Sequence, residues 1–271
     1  MLGAQRRSAI VSEVRRRGGI RVSELAAALG VSEMTVRRDV DALVEQGLLA
    51  RVHGGVLPAG TEDNHGGIVD TAADEPDFTA KRARQAAQKA AIAAAAAALV
   101  TPGTAIGISA GTTTAALAQE LTGVNNLTVV TNSVAVSDVL HRAANDTRTV
   151  ILTGGLRTRS DALVGPTAMA ALAGINLDTL FLGVHGMADR GGFTTPNLAE
   201  AQLNQALVTA ARRVVVLADH TKWGVVGIAT IIPLDEAHLV VTDSGLDTTA
   251  LECLREHVGE VVTATVSGVD R

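Results

Sequence analysis

The chain has 271 residues, 47% of them hydrophobic, enough for two domains and a sizeable core; three Phe, one Trp and no Tyr make that core aliphatic. The single cysteine, Cys253, excludes an intrachain disulfide and a cysteine-rich zinc site, and it fits a reducing cytosol. The net charge of −5 is uneven: residues 1–60 hold nine Arg and no Lys against six acids, residues 61–271 hold 14 bases against 22 acids, and only the basic head is suited to a polyanion.

The first 12 residues carry Arg6 and Arg7 with no apolar core behind them, unlike a secretory signal. The longest apolar run, residues 90–100, has 11 residues where a bilayer needs about 20, so no membrane partner is expected and the location is cytoplasmic. Helical spacing over residues 6–17 places Ile10, Val11 and Val14 on one side, ending at Gly18 and Gly19. Ser23 is positioned to cap a short helix over 24–29, with Gly30 as its stop. Ser32 opens a third helix whose apolar residues, Val36, Val40, Leu43 and Val44, follow the spacing of a half-buried helix. Its other face carries Glu33, Thr35, Arg37, Arg38 and Asp41.

Helix, short helix, turn and Arg-bearing helix is the helix-turn-helix order. Arginine forks near the start of such a helix suit guanine edges and phosphates in a major groove. Residues 48–57 read as two short strands turning at Gly54 and Gly55, a wing that places Arg51 and His53 for the sugar-phosphate backbone. The expected DNA contacts are therefore Ser32, Thr35, Arg37, Arg38, Arg51 and His53.

Residues 58–78 are rich in Gly, Asp, Glu and Pro and read as a linker, mobile at its centre, between a DNA-binding domain at 1–57 and a larger domain at 79–271. An Ala-rich helix is expected from 79 to 99, kept soluble by Lys81, Arg82, Arg84 and Lys89 and stopped by Thr101, Pro102 and Gly103. Short apolar runs then appear at 104–108, 127–131, 149–153, 179–184, 213–218, 238–242 and 260–266. Helical patterns at 112–121, 133–143, 162–173, 197–212 and 247–256 separate several of them. This alternation predicts an α/β domain with a mostly parallel sheet, in which ligands bind beyond the C-terminal strand ends.

The polar loops fall at those ends. Ser109 and Ala110 precede Gly111, Thr112, Thr113 and Thr114 at the start of a helix, an arrangement that cradles an anion and that reads equally as a plain strand–helix turn. Thr131, Asn132 and Ser133, then Gly154 and Gly155, follow the next two strands. The loop 183–189 brings His185 and Asp189, and residues 191–196 lie behind it. Asp219, His220 and Lys222 follow the strand at 213–218, where a lysine suits a phosphate as a point charge, and Asp243 follows the strand at 238–242. His185 and His220 with Asp189, Asp219 or Asp243 match no familiar metal spacing, so hydrogen bonding is the favoured role and no metal or cofactor is expected. No Gly-x-Ser-x-Gly elbow occurs, Cys253 reads as a small buried residue, and no catalytic residue is assigned.

The stretch VSEMTVRRDVDALVEQGLLARVHGG at 31–55 resembles the helix-turn-helix signature of the DeoR-type transcriptional regulators. The ordered set GTTT at 111–114, TNS at 131–133, GG at 154–155, TTP at 194–196, ADHTK at 218–222 and TD at 242–243 is similar to that family's sensor domain. The resemblance implies a winged helix-turn-helix repressor of carbohydrate genes. Its sensor would share a fold related to ribose-5-phosphate isomerase. It further implies double-stranded operator DNA and a small phosphorylated metabolite as partners, and a dimer or tetramer.

By position it implies that Gly111–Thr114 and Lys222 hold the phosphate. Ser109, Thr131, Asn132, Ser133, Gly154, Gly155, His185, Asp219 and Glu200 would line the rest. Many family sensors read Asp-Ser where this chain has Ser109-Ala110, which alters hydroxyl recognition and weakens an isomerase reading, since a carboxylate base is missing. An isomerase-like enzyme with a DNA-binding head, and a helix-turn-helix used only for assembly, are the rival readings.

Overall fold

The structure is a computed structural model that describes residues 3–17, 20–45, 48–52, 55–58, 78–143 and 145–266. It divides into two units, Met1–His65 and Gly66–Arg271. His53, Gly54 and the residues expected to form the centre of the linker lie outside the described residues, as do the side chains of Arg37 and Arg51.

In the first unit, α1 (Gly3–Arg17) leads to β1 (Ile20–Arg21), α2 (Val22–Leu29) and α3 (Glu33–Glu45), then to β2 (Leu49–Val52) and β3 (Gly55–Pro58). The strands form an antiparallel sheet in the order β1-β3-β2, with Ile20 opposite Val56 and Leu49 opposite Pro58. Ile10, Val14, Leu25, Val36, Val40, Leu43, Leu49 and Val56 are buried together, so the apolar spacing of the three helices converges on one core. Two details differ from the sequence pattern. α2 begins at Val22, so Ser23 sits inside the first turn instead of capping it, and β1 is too short for strand alternation to reveal. Gly30 takes φ +63° and the Val31 amide donates to Ala26 O over 3.1 Å, the Schellman closure expected of a Gly stop.

The second unit opens with α4 (Phe78–Ala83) and α5 (Ala86–Ala97). The single helix expected over 79–99 is thus broken at Arg84 and Gln85, where Gln85 adopts φ +50°. Helix propensity was outweighed by a tertiary contact: the Lys89 ammonium donates to Lys81 O and Arg84 O, each over 2.6 Å, and so caps the end of α4. Lys89 is 6% exposed and is no solubilising residue.

After these come β4 (Ala105–Ile108), α6 (Thr112–Glu120), β5 (Leu127–Thr131), α7 (Val134–Arg142) and β6 (Arg148–Leu152). The chain continues through β7 (Leu156–Arg157), β8 (Leu163–Val164), α8 (Pro166–Ala171), β9 (Thr179–Gly183), β10 (Gly186–Ala188), β11 (Gly192–Thr195) and α9 (Leu198–Thr209). It closes with β12 (Val214–Leu217), β13 (Ala229–Ile232), β14 (Leu239–Asp243), α10 (Thr248–His257) and β15 (Val261–Ala264). The seven strands expected from the apolar runs form one parallel sheet in the order β15-β14-β12-β9-β4-β5-β6. Alternation along each strand feeds two cores. Leu180, Leu182, Val214 and Val216 pack with Leu203, Leu207 and Leu254 on one face, and Phe181, Val215, Leu217 and Ile106 pack with Ile92, Leu117 and Leu140 on the other.

The chain runs outward from β4 to β5 and β6, then returns to β9 on the other side of β4. The winding therefore reverses between β4 and β9, the place where an open α/β sheet leaves a crevice. Three departures concern the remaining pieces. The helix expected over 162–173 is confined to Pro166–Ala171, because β8 takes up residues 163–164 and Pro166 fixes the helix start. β7 pairs with β8, and β10, β11 and β13 form a small antiparallel sheet. These short strands, broken up by glycines such as Gly191 and Gly192, gave no readable period.

Candidate functional site

The reversal point joins two loops. Ser109 donates its amide to Phe181 O over 3.0 Å, and its Oγ accepts from the Gly183 amide over 2.9 Å, lacing the ends of β4 and β9. A Cβ on Gly183 would stand 3.3 Å from Ala110 O and from Thr114 Cγ2, a tight fit that glycine relieves. Asn132 extends the lacing: Oδ1 accepts from the Ala110 amide (2.9 Å), and Nδ2 donates to Leu163 O (3.3 Å). Thr131 Oγ1 donates to Ile108 O over 2.6 Å and accepts from the Ser133 amide, while Ser133 Oγ caps α7 at Val136. These four side chains are buried and hold the loops in place from beneath.

α6, like α5 and α8, starts without a side-chain cap, whereas Ser133, Asn197 and Asp247 cap α7, α9 and α10 with side-chain oxygens. Thr114 Oγ1 donates back to Gly111 O (3.0 Å), which leaves the first-turn amides of Thr112, Thr113 and Thr114 as the donors of a positive helix end.

The strongest signal is one of charge. The chain has only three lysines, Lys81, Lys89 and Lys222, on three separate segments, and the charges of Lys81 and Lys222 both reach Lys89. Burial pushes the Lys89 ammonium down to about 8; Asp219 opposes that shift, and Lys222, Lys81 and Arg84 add to it. Burial, then Lys222 and Lys81, push the His185 imidazole down to about 4, so it is neutral near pH 7 and acts through hydrogen bonding. Asp219 is 1% exposed; Oδ1 accepts from the Thr221 amide (3.1 Å) and the Thr221 hydroxyl, and Oδ2 makes no hydrogen bond among the described residues. That oxygen offsets part of the positive charge around it.

Beside Lys222, His220 Nδ1 lies 2.8 Å from Asp243 Oδ2, and Asp243 also accepts the amides of His220 (2.8 Å) and Gly245 (2.9 Å). A Cβ on Gly245 would fall 2.5 Å from His220 Nδ1, so Gly245 makes room for the ring.

Glu200 lies in the first turn of α9, accepting from Thr158 Oγ1 (2.6 Å) and Ser160 Oγ. Gly154 and Gly155 take φ +70° and +116°, and a Cβ on Gly155 would meet Val164 O at 2.4 Å. These three shape the loops after β6 and between β7 and β8. Sequence reasoning missed Lys81 and Lys89, filed as surface charges, with the scarcity of lysine as the one available signal, whereas the hydrogen-bonding role favoured for His220 with Asp243 is what the structure shows. A separate hollow of about 750 Å³ between α8 and α9, lined by Met169, Leu172 and Gln205 among others, carries no charged side chain and is a poor anion site.

On the first unit, Ser32 Oγ accepts from the Thr35 amide (3.3 Å) and contacts Thr35 Oγ1 (2.9 Å), so this pair fixes the start of α3. Arg38 is exposed, and so is Met34 at 62%, an apolar group the sequence pattern left unused and one suited to a thymine methyl. Asp39 is buried against Arg6, which makes Arg6 a structural residue.

Residues 6–60 match the model of the DeoR-like helix-turn-helix domain, and residues 84–244 match that of the DeoR C terminal sensor domain. The chain is 36% identical over 255 residues to the uncharacterized HTH-type transcriptional regulator YgbI of Escherichia coli K12, covering 94% of this chain and 95% of that one. It is 35% identical over 272 residues to the HTH-type transcriptional regulator GlpR of Haloferax volcanii, covering 100% of both. Identity to the glycerol-3-phosphate regulon repressor of E. coli K12 is 28% over 258 residues, 95% of this chain and 97% of that one. Ribose 5 phosphate isomerase A from Neisseria gonorrhoeae overlaps 50% of this chain and 52% of its own at 18% identity and a TM-score of 0.37, too slight a likeness to bear on function.

Proposed function

The chain belongs to the DeoR family of helix-turn-helix transcriptional regulators, and from that premise we propose that it is a cytoplasmic repressor released from operator DNA by a small phosphorylated metabolite. The observation that carries the effector half is that the charges of Lys222 and Lys81 reach both Lys89 and His185, two residues after Gly183, which packs against Thr114 at the start of a helix without a side-chain cap. Amides of Thr112–Thr114 supply directional donors and Lys222 with Lys81 supplies charge, the combination that a phosphate group recruits. His185, neutral, and His220, held by Asp243, offer hydrogen bonds to hydroxyls.

Lys89 links this site to the chain entering it. Its ammonium holds the last carbonyls of α4, the helix that follows the proposed linker at 58–78, and it also feels the charges of Asp219 and Lys222. An anion that draws on Lys81 and Lys89 competes with that cap and favours a different α4–α5 arrangement. Release follows if the ligand binds the two arrangements with unequal affinity. On the DNA side, Arg38 and Thr35 with Arg37 would read the groove, and Arg51 and His53 the backbone.

The test is a thermal-shift screen against phosphorylated sugars and polyols. A ligand at about a hundred times its Kd stabilises the parent by about 2.7 kcal/mol, and Lys222→Ala should lose that gain. A ligand that stabilises both equally places the site elsewhere. Gel-shift binding to DNA upstream of its own gene should weaken as salt rises and disappear in the Arg37→Ala/Arg38→Ala double variant. On ribose 5-phosphate the protein should show only background turnover; turnover that Glu200→Gln removes would establish the isomerase reading instead.

A further inference from the structure

A sulfur, an imidazole and a carboxylate come together at α10, apart from the lysine cluster. Cys253 and His257 are four residues apart on that helix, so both side chains emerge on one side of it. His257 Nδ1 lies 3.9 Å from Cys253 Sγ and 2.9 Å from the Cys253 carbonyl oxygen, which keeps the ring against the thiol. Asp189, the residue after β10, brings its carboxylate from the β10–β11 hairpin. The three candidate ligand atoms all lie within 4.8 Å of one another.

We propose that Asp189, Cys253 and His257 bind one divalent ion of the zinc class, leaving a fourth position to water. Tetrahedral zinc, with bonds of roughly 2.0–2.3 Å, needs ligand atoms about 3.5 Å apart, so small side-chain rotations complete the geometry. Asp189 and His257 are exposed, which leaves room for these rotations. A set of one thiolate, one imidazole and one carboxylate selects borderline metals over magnesium or calcium. On binding, the Cys253 S–H bond breaks, a sulfur–metal bond forms, and the proton passes to solvent.

The ion would clasp the tip of the β10–β11 hairpin to α10. The base of that hairpin carries His185, whose amide donates to Thr194 O over 3.0 Å, and Met187 O accepts from Gly224 next to the Lys222 turn. Metal binding would therefore stiffen one wall of the effector site without touching the ligand.

Titration of the full-length protein with Co(II), with no phosphorylated ligand present, tests this. We expect a thiolate-to-cobalt charge-transfer band that saturates at one ion per chain and is displaced by Zn(II). Cys253→Ser should abolish the band, while His257→Gln and Asp189→Asn should each weaken Co(II) affinity tenfold or more. Melting curves without metal check that the variants fold. Absence of the band in the parent overturns the proposal. So does a band that survives Cys253→Ser, or one that keeps parental affinity in both other variants, which would mark adventitious capture by a thiol. The repressor reading is untouched by any of these results, because no sugar phosphate takes part.

Discussion

Lys89 is where burial, charge and backbone geometry meet in one residue. Its ammonium sits at 6% exposure against two carbonyls, with its proton held less tightly than in water. In the unfolded chain the same group titrates at 10.5, so between about 8 and 10.5 the unfolded state carries more protons and this group makes the fold more stable as pH rises. Comparing parent and Lys89→Met by denaturation across that window should show the extra rise in the parent alone. Ligand affinity should move the opposite way. A bound phosphate favours the charged ammonium, so affinity should fall as pH rises through about 8, by at most roughly tenfold per pH unit. Calorimetry should show that limb in the parent and not in Lys89→Arg. Asp243→Asn, which weakens the hold on His220 and on two amides, should cost about 1–3 kcal/mol of stability together with part of the ligand affinity.

The elements of the sensor are set by short signals, and where those signals are silent the elements were misread. Continuous apolar runs such as LFL at 180–182 announce a strand buried on both faces, and short apolar runs made all seven strands of the main sheet legible. The break between α4 and α5 was not, since nothing local demands it: neither Pro nor Gly occurs there, and a left-handed Gln85 is tolerated only because Lys89 bonds across the gap. Gln85→Val should therefore lower stability by about 1–2 kcal/mol, as a β-branched residue resists positive φ, while Gln85→Gly stays near neutral. Gly155→Ala is a harsher change, at φ +116° and 2.4 Å from Val164 O. It should shift the loops after β6 and β8 and lower the melting temperature by several degrees.

At the scale of the whole molecule, two units with separate cores fold in one chain, Ile10 with Val36 in one and Leu180 with Val214 in the other. If the proposed linker at 58–78 joins them, calorimetry should resolve two transitions, with a phosphorylated ligand raising only the transition of the larger unit. A dimer or tetramer was an expectation from the sequence resemblance, and β6 is the last strand of the sheet, with Ile151 and Leu152 exposed and Leu156 beside it at 73% exposure. If this exposed face pairs two copies, a charge on it should separate them. Leu156→Glu should reduce the mass measured by light scattering, and an unchanged mass would put the interface elsewhere.

The sequence by itself determined the family, the helix-turn-helix order and the parallel sheet. It also located the sensor loops at strand ends, because apolar period, caps and glycine stops are local properties of the chain. Only the tertiary structure decided which polar side chains lie buried beneath the loops and which distant charges come within reach of one another. Thr131, Asn132 and Ser133 turned inward as supports, whereas Lys81 and Lys89, which read as solvated charges on a helix, came to face Lys222 from 133 or more residues away. The same holds for Asp189, Cys253 and His257, which share no motif and meet only through the packing of a hairpin against a helix. Charge and ligation act through space, and the distances that govern them exist only once the sheet has brought its strand ends together.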